Sequence, residues 1–368
     1  MRSRALVLHE LGTDPRVEEF DVPAPGEGAV VVEVALGGIC GTDLHLREGR
    51  LPIPIPVVLG HEAVGRVAAL GAGVTADGLG NPLAEGDLVA WASSIACGRC
   101  HFCLHDRLPT FCTDRKVYGI NRPAGEWPHL SGAWADHMYL HPGTTIVRVP
   151  DGLDPVDVIA LGCAGPTAVH GLLRLAGVPY GACVVVQGSG PVGIAAAMYA
   201  RTAGAGLVVM VGGPAARLAV ARELGVADAY VDIFEVPDPA DRVAAVTALT
   251  PRGEGADLVA ECTGVPSAVA EGIDLCRPAA TLLVLGQYTD AGPTTLNPHQ
   301  ITRKQLRVLG SWAFSGTDFL AYAESLPGLR ARFDLRRLVT TFPLEQAGRA
   351  LDEVRAGAVV KAALVPGR

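Results

Sequence analysis

Four cysteines, Cys97, Cys100, Cys103 and Cys112, fall within sixteen residues. Two successive CxxC spacings of this kind suit a tetrahedral thiolate site. Four thiolates leave a zinc ion no open position, so its role is structural: the metal holds a loop with too little core to hold itself. His101 and His105 lie inside this loop and read as facing solvent. A second set is dispersed. Cys40 lies in Gly38-Ile-Cys40-Gly-Thr42-Asp43-Leu-His45, His61 in Gly60-His61-Glu62, and Cys163 follows Gly162. A metal that does chemistry wants three protein ligands and a vacant fourth place, which a Cys, His, Cys set supplies. Taken one at a time, each of the three also reads as ordinary packing.

A third signal is Gly188-Ser-Gly190-Pro191-Val192-Gly193, which follows the β-branched run Cys183 to Gln187 and opens an apolar helix. In that context three glycines have separate uses. Gly188 makes the tight turn, Gly190 lets the backbone approach a pyrophosphate, and Gly193 allows the helix to pack closely. The helix start offers N–H groups and the positive dipole end to phosphate. A carboxylate normally follows about twenty residues on, to hold the ribose hydroxyls of NAD. Here Met210-Val211 is followed by Gly212 and, a little later, Arg217. With no acid to repel a ribose phosphate and an arginine available to pair with one, the reading leans slightly to NADP.

Elements must carry these groups. Up to about Val149, short apolar runs such as Ala29–Ala35, Val64–Leu70 and Leu88–Trp91 are cut by turn residues, which predicts an irregular barrel or sandwich. Val156–Leu175 then reads as one long helix. After it, strands at Gly206–Val211, Ala229–Asp232, Leu258–Glu261 and Thr281–Leu285 alternate with helices at Ala215–Leu224 and Pro266–Cys276, the pattern of a parallel sheet with crossovers. A helix at Asp318–Leu326 and a strand-like Val359–Leu364 close the chain. Gln305–Trp312 reads as a sheet-edge strand for subunit pairing. Trp127, Trp134 and Trp312 could each line a pocket or pack.

Composition excludes several functions. With 49% hydrophobic and 18% charged residues, a disordered chain is ruled out. The net charge of -8 argues against nucleic acid, which needs clustered cations. The most membrane-like stretch, Ala182–Ala200, is broken by Gly and Pro and reads better as strand, turn and helix. The start MRSRALVLHE is too soon polar for a signal peptide. Cytoplasmic residence follows, and nine cysteines with one tight cluster point to metal rather than disulfides.

Jointly, GICGTDLH, GHEAVGRV, the four-cysteine lobe, LGCAGPTA, GSGPVG and a tail ending in Gly357-Ala-Val-Val-Lys361 resemble the medium-chain, zinc-dependent alcohol dehydrogenases across essentially the whole chain. The resemblance implies an α/β protein: a GroES-like irregular β-barrel catalytic domain (1–165 and 316–368, with a zinc lobe at about 95–115) plus a doubly wound parallel-sheet Rossmann domain (166–315). It implies two zinc ions per chain, structural on the four-cysteine lobe and catalytic on Cys40, His61 and Cys163. Glu62 matches the family's acid beside the metal, and Asp43 a position that orients the zinc histidine. Thr42 matches the hydroxyl that takes the alcohol proton, and His45 a relay histidine to solvent. Lys361 matches a basic residue that reaches the cofactor pyrophosphate.

The implied activity is hydride transfer between NAD or NADP and a primary or secondary alcohol or carbonyl, in a homodimer or homotetramer, without nucleic acid or membrane as partner. A zinc-independent NADPH reductase of activated double bonds, a dismutase or epimerase with retained cofactor, and a non-enzymatic binding protein are the alternatives. Two features depart from the family pattern. The spacing from Cys103 to Cys112 is one residue longer than usual, and Val117–His129 is long and polar-aromatic, as in a subgroup partly associated with phosphonate or small polar alcohols.

Overall fold

In the computed structural model, which describes residues 1–367, the chain divides into two compact units. The first comprises Met1–Cys163, Phe314–Ala331 and 338–367; the second, Ala164–Ala313 and Arg332–Arg337. Both chain ends thus build the first unit, with the second inserted.

The first unit is mostly antiparallel sheet. Its largest sheet runs Ile146–Arg148, Leu88–Trp91, Ala63–Leu70, Val30–Ile39, Lys361–Val365, Val339–Pro343, with His137–Leu140 also pairing to Val30–Ile39. The register sets Gly37 opposite Ala63 and Gly38 opposite Ala363. Strand Val30–Ile39 is therefore central, and it delivers Cys40 at its end. Valines at 30, 32 and 34 and Val67, Val89 and Met138 meet in one buried cluster, the inward alternation that fixes register when one face is covered.

Asp77 shows how a loop is tied to this sheet. Its carboxylate accepts hydrogen bonds from the backbone N–H groups of Leu79, Asn81 and Arg148, at 2.9, 2.8 and 2.9 Å. Burial alone would raise its pKa, but these donors hold it below the ordinary carboxylate value. A depressed folded pKa stabilises above the unfolded value and loses that contribution as pH falls through the folded one. Asp77→Asn is expected to destabilise by about 2 kcal/mol near neutrality, the scale of charge-assisted hydrogen bonds. Urea unfolding should show the gap to the parent closing as pH drops below that of an ordinary carboxylate.

The second unit is a six-stranded, wholly parallel sheet in the order Ala229–Asp232, Leu207–Gly212, Cys183–Gln187, Ala256–Glu261, Cys276–Val284, Arg307–Gly310. Its first strand in the chain, Cys183–Gln187, is central and buried at every residue, as a strand covered on both faces must be. Helices Pro191–Thr202, Ala215–Leu224, Pro239–Leu249 and Pro266–Leu275 supply crossovers. This is the doubly wound order, with the strand reversal beside Cys183–Gln187. Arg307–Gly310 stands at the sheet edge, inside the stretch expected there.

One expectation fails. Val156–Leu175 is not a single helix: Pro155–Ile159 ends, Leu161–Cys163 are non-helical, and helix resumes as Ala164–Ala168 and a π-helical Val169–Ala176. The cause is tertiary. The Cys163 N–H donates to Glu62 Oε2 at 2.7 Å, and a Cβ on Gly162 would lie 2.6 Å from that same oxygen. A helix passing straight through would withdraw that donor into its own ladder and leave the carboxylate without it.

Candidate active site

The break in the helix brings Cys163 to the other two dispersed groups. One ligand atom each from Cys40, His61 and Cys163 lies within 4.8 Å of the others. Cys40 precedes helix Gly41–Arg47, and Asp43 caps that helix by accepting from the Cys40 N–H at 2.8 Å. The other Asp43 oxygen lies 3.2 Å from His61 Nδ1. Asp43 is completely buried and His61 nearly so, so this bond fixes the imidazole orientation and leaves Nε2 for the cysteines' side. Burial alone would lower the His61 pKa, but Asp43 and Cys40 together hold it well above the usual histidine range. A hydrogen bond from Cys163 keeps the Cys40 thiol well below the usual thiol range, while Cys163 is pushed up. Two thiols and an imidazole that share protons this closely are a donor set for a soft dication, which would displace those protons.

Thr42 Oγ1 lies 3.9 Å from Cys40 Sγ. His45 is one helical turn further on and half-buried, and burial, then Arg50, lowers its pKa. It is therefore neutral and able to accept a proton at pH 7.

Glu62 and Lys361 form a buried pair beside the ligand group. Glu62 is 4% exposed and Lys361 is 2% exposed. The Lys361 ammonium donates to Glu62 Oε1 and, at 3.3 Å, to the Ile39 carbonyl. Lys361 is thus paired with a carboxylate beside the three-residue ligand group. Burial opposes its charge, yet Glu62 outweighs that and raises its pKa. Glu62, with one oxygen on Lys361 and the other on the Cys163 N–H, is outside the three-residue ligand group.

Trp134 is the positioning residue that sequence reasoning left undecided. It is fully buried, and its Nε1 donates to the Gly38 carbonyl at 3.0 Å. A Cβ on Gly60, whose φ is +93°, would lie 2.4 Å from its Cδ1. The indole therefore packs between the segments that carry Cys40 and His61, and the glycines just before both ligands were the available signal. By contrast, Trp127 is exposed and Trp312 stacks on Tyr288, ring centres 4.8 Å apart. A void about the size of one water lies beside His61, lined by Trp91, Ser93, Phe314, Phe319 and Tyr322.

In the lobe, Cys97, Cys100, Cys103 and Cys112 also hold their sulfurs within 4.8 Å. Backbone N–H groups of Arg99 and Cys97 donate to the sulfurs of Cys97 and Cys112, at 3.5 and 3.2 Å. Backbone donors from Thr113 and Cys103 lower the Cys100 thiol to about 6. Burial and the Cys100 sulfur push Cys103 up to about 12, so it is the approach of four sulfurs, whose protons a bound metal would displace, that fits a closed tetrahedral zinc site. His101 and His105 are exposed and pair with Asp106, outside the four-sulfur group.

In the second unit, each fingerprint glycine has a distinct necessity. Gly188 has φ +117°, a Cβ on Gly193 would lie 1.9 Å from the Gly188 carbonyl oxygen, and a Cβ on Gly190 would meet nothing within 4 Å. The open face at Gly190 leads into Pro191 and Val192, the start of a twelve-residue helix, the kind of terminus that can receive a phosphate. Gly212 ends the neighbouring strand, and Arg217, half-buried, lies in the first turn of Ala215–Leu224.

The chain matches the family model of an alcohol dehydrogenase GroES-like domain over residues 26–151 and that of a zinc-binding dehydrogenase over residues 191–327. It is 34% identical over 364 residues to 5-exo-hydroxycamphor dehydrogenase of Pseudomonas putida, covering 98% of this chain and 97% of that one. Among solved structures, an alcohol dehydrogenase from Thermotoga maritima superposes with a TM-score of 0.93 at 32% identity, over 100% of both chains. A zinc-binding dehydrogenase structure from Sinorhizobium meliloti 1021, bound to NADP, gives 0.86 at 28% identity, again over 100% of both.

Proposed function

Because the chain belongs to the medium-chain, zinc-dependent alcohol dehydrogenase family, we propose that Cys40, His61 and Cys163 hold its catalytic zinc and that the four-cysteine lobe holds a structural one. The protein is an oxidoreductase acting on alcohols, with zinc and NAD(P) as its cofactors. The observation that carries the site assignment is the convergence of three ligand atoms within 4.8 Å, with Asp43 steering the histidine. When bound, zinc supplies Lewis acidity to a substrate oxygen and the nicotinamide takes up or returns hydride. The chain's residues do the rest. Thr42 accepts the hydroxyl proton, and neutral His45 passes it toward solvent. Glu62 sits beside the ligands, its charge balanced by Lys361. In this reading residues 1–165 and 316–368 form the catalytic domain and 166–315 the dinucleotide-binding one.

An alcohol with a hydrocarbon body is the substrate class we favour. A relative 34% identical over 98% of this chain is named for a hydroxylated camphor. Cytoplasmic residence belongs to the same proposal, since six of the nine cysteines fall in the two metal-ligand groups and must stay reduced to bind metal. No helix among the described residues is long and apolar enough to cross a membrane. Pairing through the edge strand Arg307–Gly310, where Val308 is exposed, would make a homodimer or homotetramer. Light scattering at micromolar concentration should give a mass of two or four chains, and a single-chain mass would end that part.

Cofactor choice tests the reading as a whole. Gly212 in place of an acid, and Arg217 nearby in sequence, favour NADP. Fluorescence titration of zinc-replete protein is expected to show tighter binding of NADPH than NADH. The reverse order would overturn the NADP preference, and binding of neither, with no dinucleotide released on denaturation, would overturn the dinucleotide site.

A further inference from the structure

The middle residue of the glycine fingerprint does not face solvent. Ser189 is 2% exposed, and its side chain crosses to the end of the neighbouring strand. There Oγ donates to the Gly213 carbonyl at 3.0 Å and accepts from the Gly213 N–H at 3.1 Å. This side chain and the residue's own backbone nitrogen occupy the space that a side chain at position 212 would need. A Cβ on Gly212 would lie 2.8 Å from Ser189 Oγ, 2.9 Å from its Cβ and 2.9 Å from its backbone nitrogen. The next residue is closed from another direction, because a Cβ on Gly213 would meet the Phe234 ring at 2.8 Å and Ile233 at 3.2 Å. Contacts this short are not met by real Cβ atoms without a shift of their neighbours.

We propose that Ser189, and not the identity of residue 212 alone, keeps this ribose site free of an acid. The inference rests on the dinucleotide reading. A carboxylate at 212 would hydrogen-bond an unphosphorylated ribose and repel a 2′-phosphate. The two hydrogen bonds between Ser189 Oγ and the Gly213 peptide hold the Ser189 backbone nitrogen 2.9 Å from that Cβ position. While the bridge stands such a carboxylate has no place to start from, and removing it frees the loop to move aside. Specificity for the ribose is therefore set by the pair, and the two positions are strongly non-additive.

The experiment compares the parent, Gly212→Asp and the double variant Ser189→Gly with Gly212→Asp, each zinc-replete, by equilibrium titration with NADH and with NADPH. The single change is expected to weaken both dinucleotides by ~10-fold or more, because it displaces the loop that receives the pyrophosphate. The double variant is expected to recover NADH to within a few-fold of the parent while NADPH stays ~10-fold or more weaker. If Gly212→Asp alone tightens NADH with no cost, or if adding Ser189→Gly recovers nothing, the proposal is overturned. Should the aspartate variant fail to fold, Gly212→Ala with and without Ser189→Gly reads the packing by itself. A lowered melting temperature restored in the double supports the inference, and equal melting temperatures overturn it. A parent that binds neither dinucleotide fails the underlying reading first, and separately.

Discussion

Cys40→Ser is expected to lose the zinc proposed for Cys40, His61 and Cys163 and to lower turnover at least ~10³-fold, with the dinucleotide still bound. The size follows from asking what the metal supplies. Lewis-acid stabilisation of charge on a substrate oxygen is worth several kcal/mol, and each 1.36 kcal/mol is tenfold in rate. Serine keeps the shape but gives a hard, protonated oxygen where the set needs a thiolate. Cys103→Ser provides the contrast. It should lose the other zinc and make the segment near 95–115 sensitive to protease, while the catalytic metal and its chemistry remain. Metal analysis and kinetics on the same preparations decide the matter: if Cys103→Ser stopped turnover and Cys40→Ser did not, the two assignments would be exchanged. Smaller losses are expected around the centre. Asp43→Asn should weaken zinc by ~10–100-fold through the orientation of His61. His45→Gln should cost less than a ligand, since water can complete a proton relay.

These residues differ in how readable they were, and the difference is physical. The fingerprint was legible because its requirements are local. A positive φ at Gly188 and the close approach at Gly193 are backbone demands that only glycine meets, and they show in any sequence. The four-cysteine lobe was legible for the same reason, its ligands lying within one loop. Cys40, His61 and Cys163 were not legible on their own. They meet because Gly37 pairs with Ala63 across two strands and because a helix breaks at Leu161–Cys163. The break itself was hidden, since the run from Val156 to Leu175 has helical composition and what interrupts it is Glu62, a hundred residues earlier in the chain. Ser189 was invisible for a related reason, since the fingerprint reads its middle position as free. Only the packing against Gly212 shows that the side chain is built in.

The buried environment of Lys361 gives the second large effect. Lys361→Ala removes the ammonium and leaves the Glu62 carboxylate buried with one N–H donor, from Cys163. Breaking one partner of a buried pair costs about 3–5 kcal/mol, because the remaining charge is uncompensated. Replacing both partners by uncharged groups of similar shape is often close to neutral. Lys361→Met with Glu62→Gln is therefore expected to be more stable than either single change. A double-mutant cycle by urea unfolding of the zinc-loaded protein would give the coupling directly. The same variants separate the two roles that Lys361 could have. If it served chiefly to hold a cofactor pyrophosphate, Lys361→Ala would leave unfolding unchanged and weaken the dinucleotide. The buried pair predicts the opposite order: a large loss of stability, largely rescued by the second substitution, with the smaller change in dinucleotide affinity. Additivity in the cycle would mean that Glu62 does not need its lysine, and the charge balance beside the zinc ligands would have to come from elsewhere.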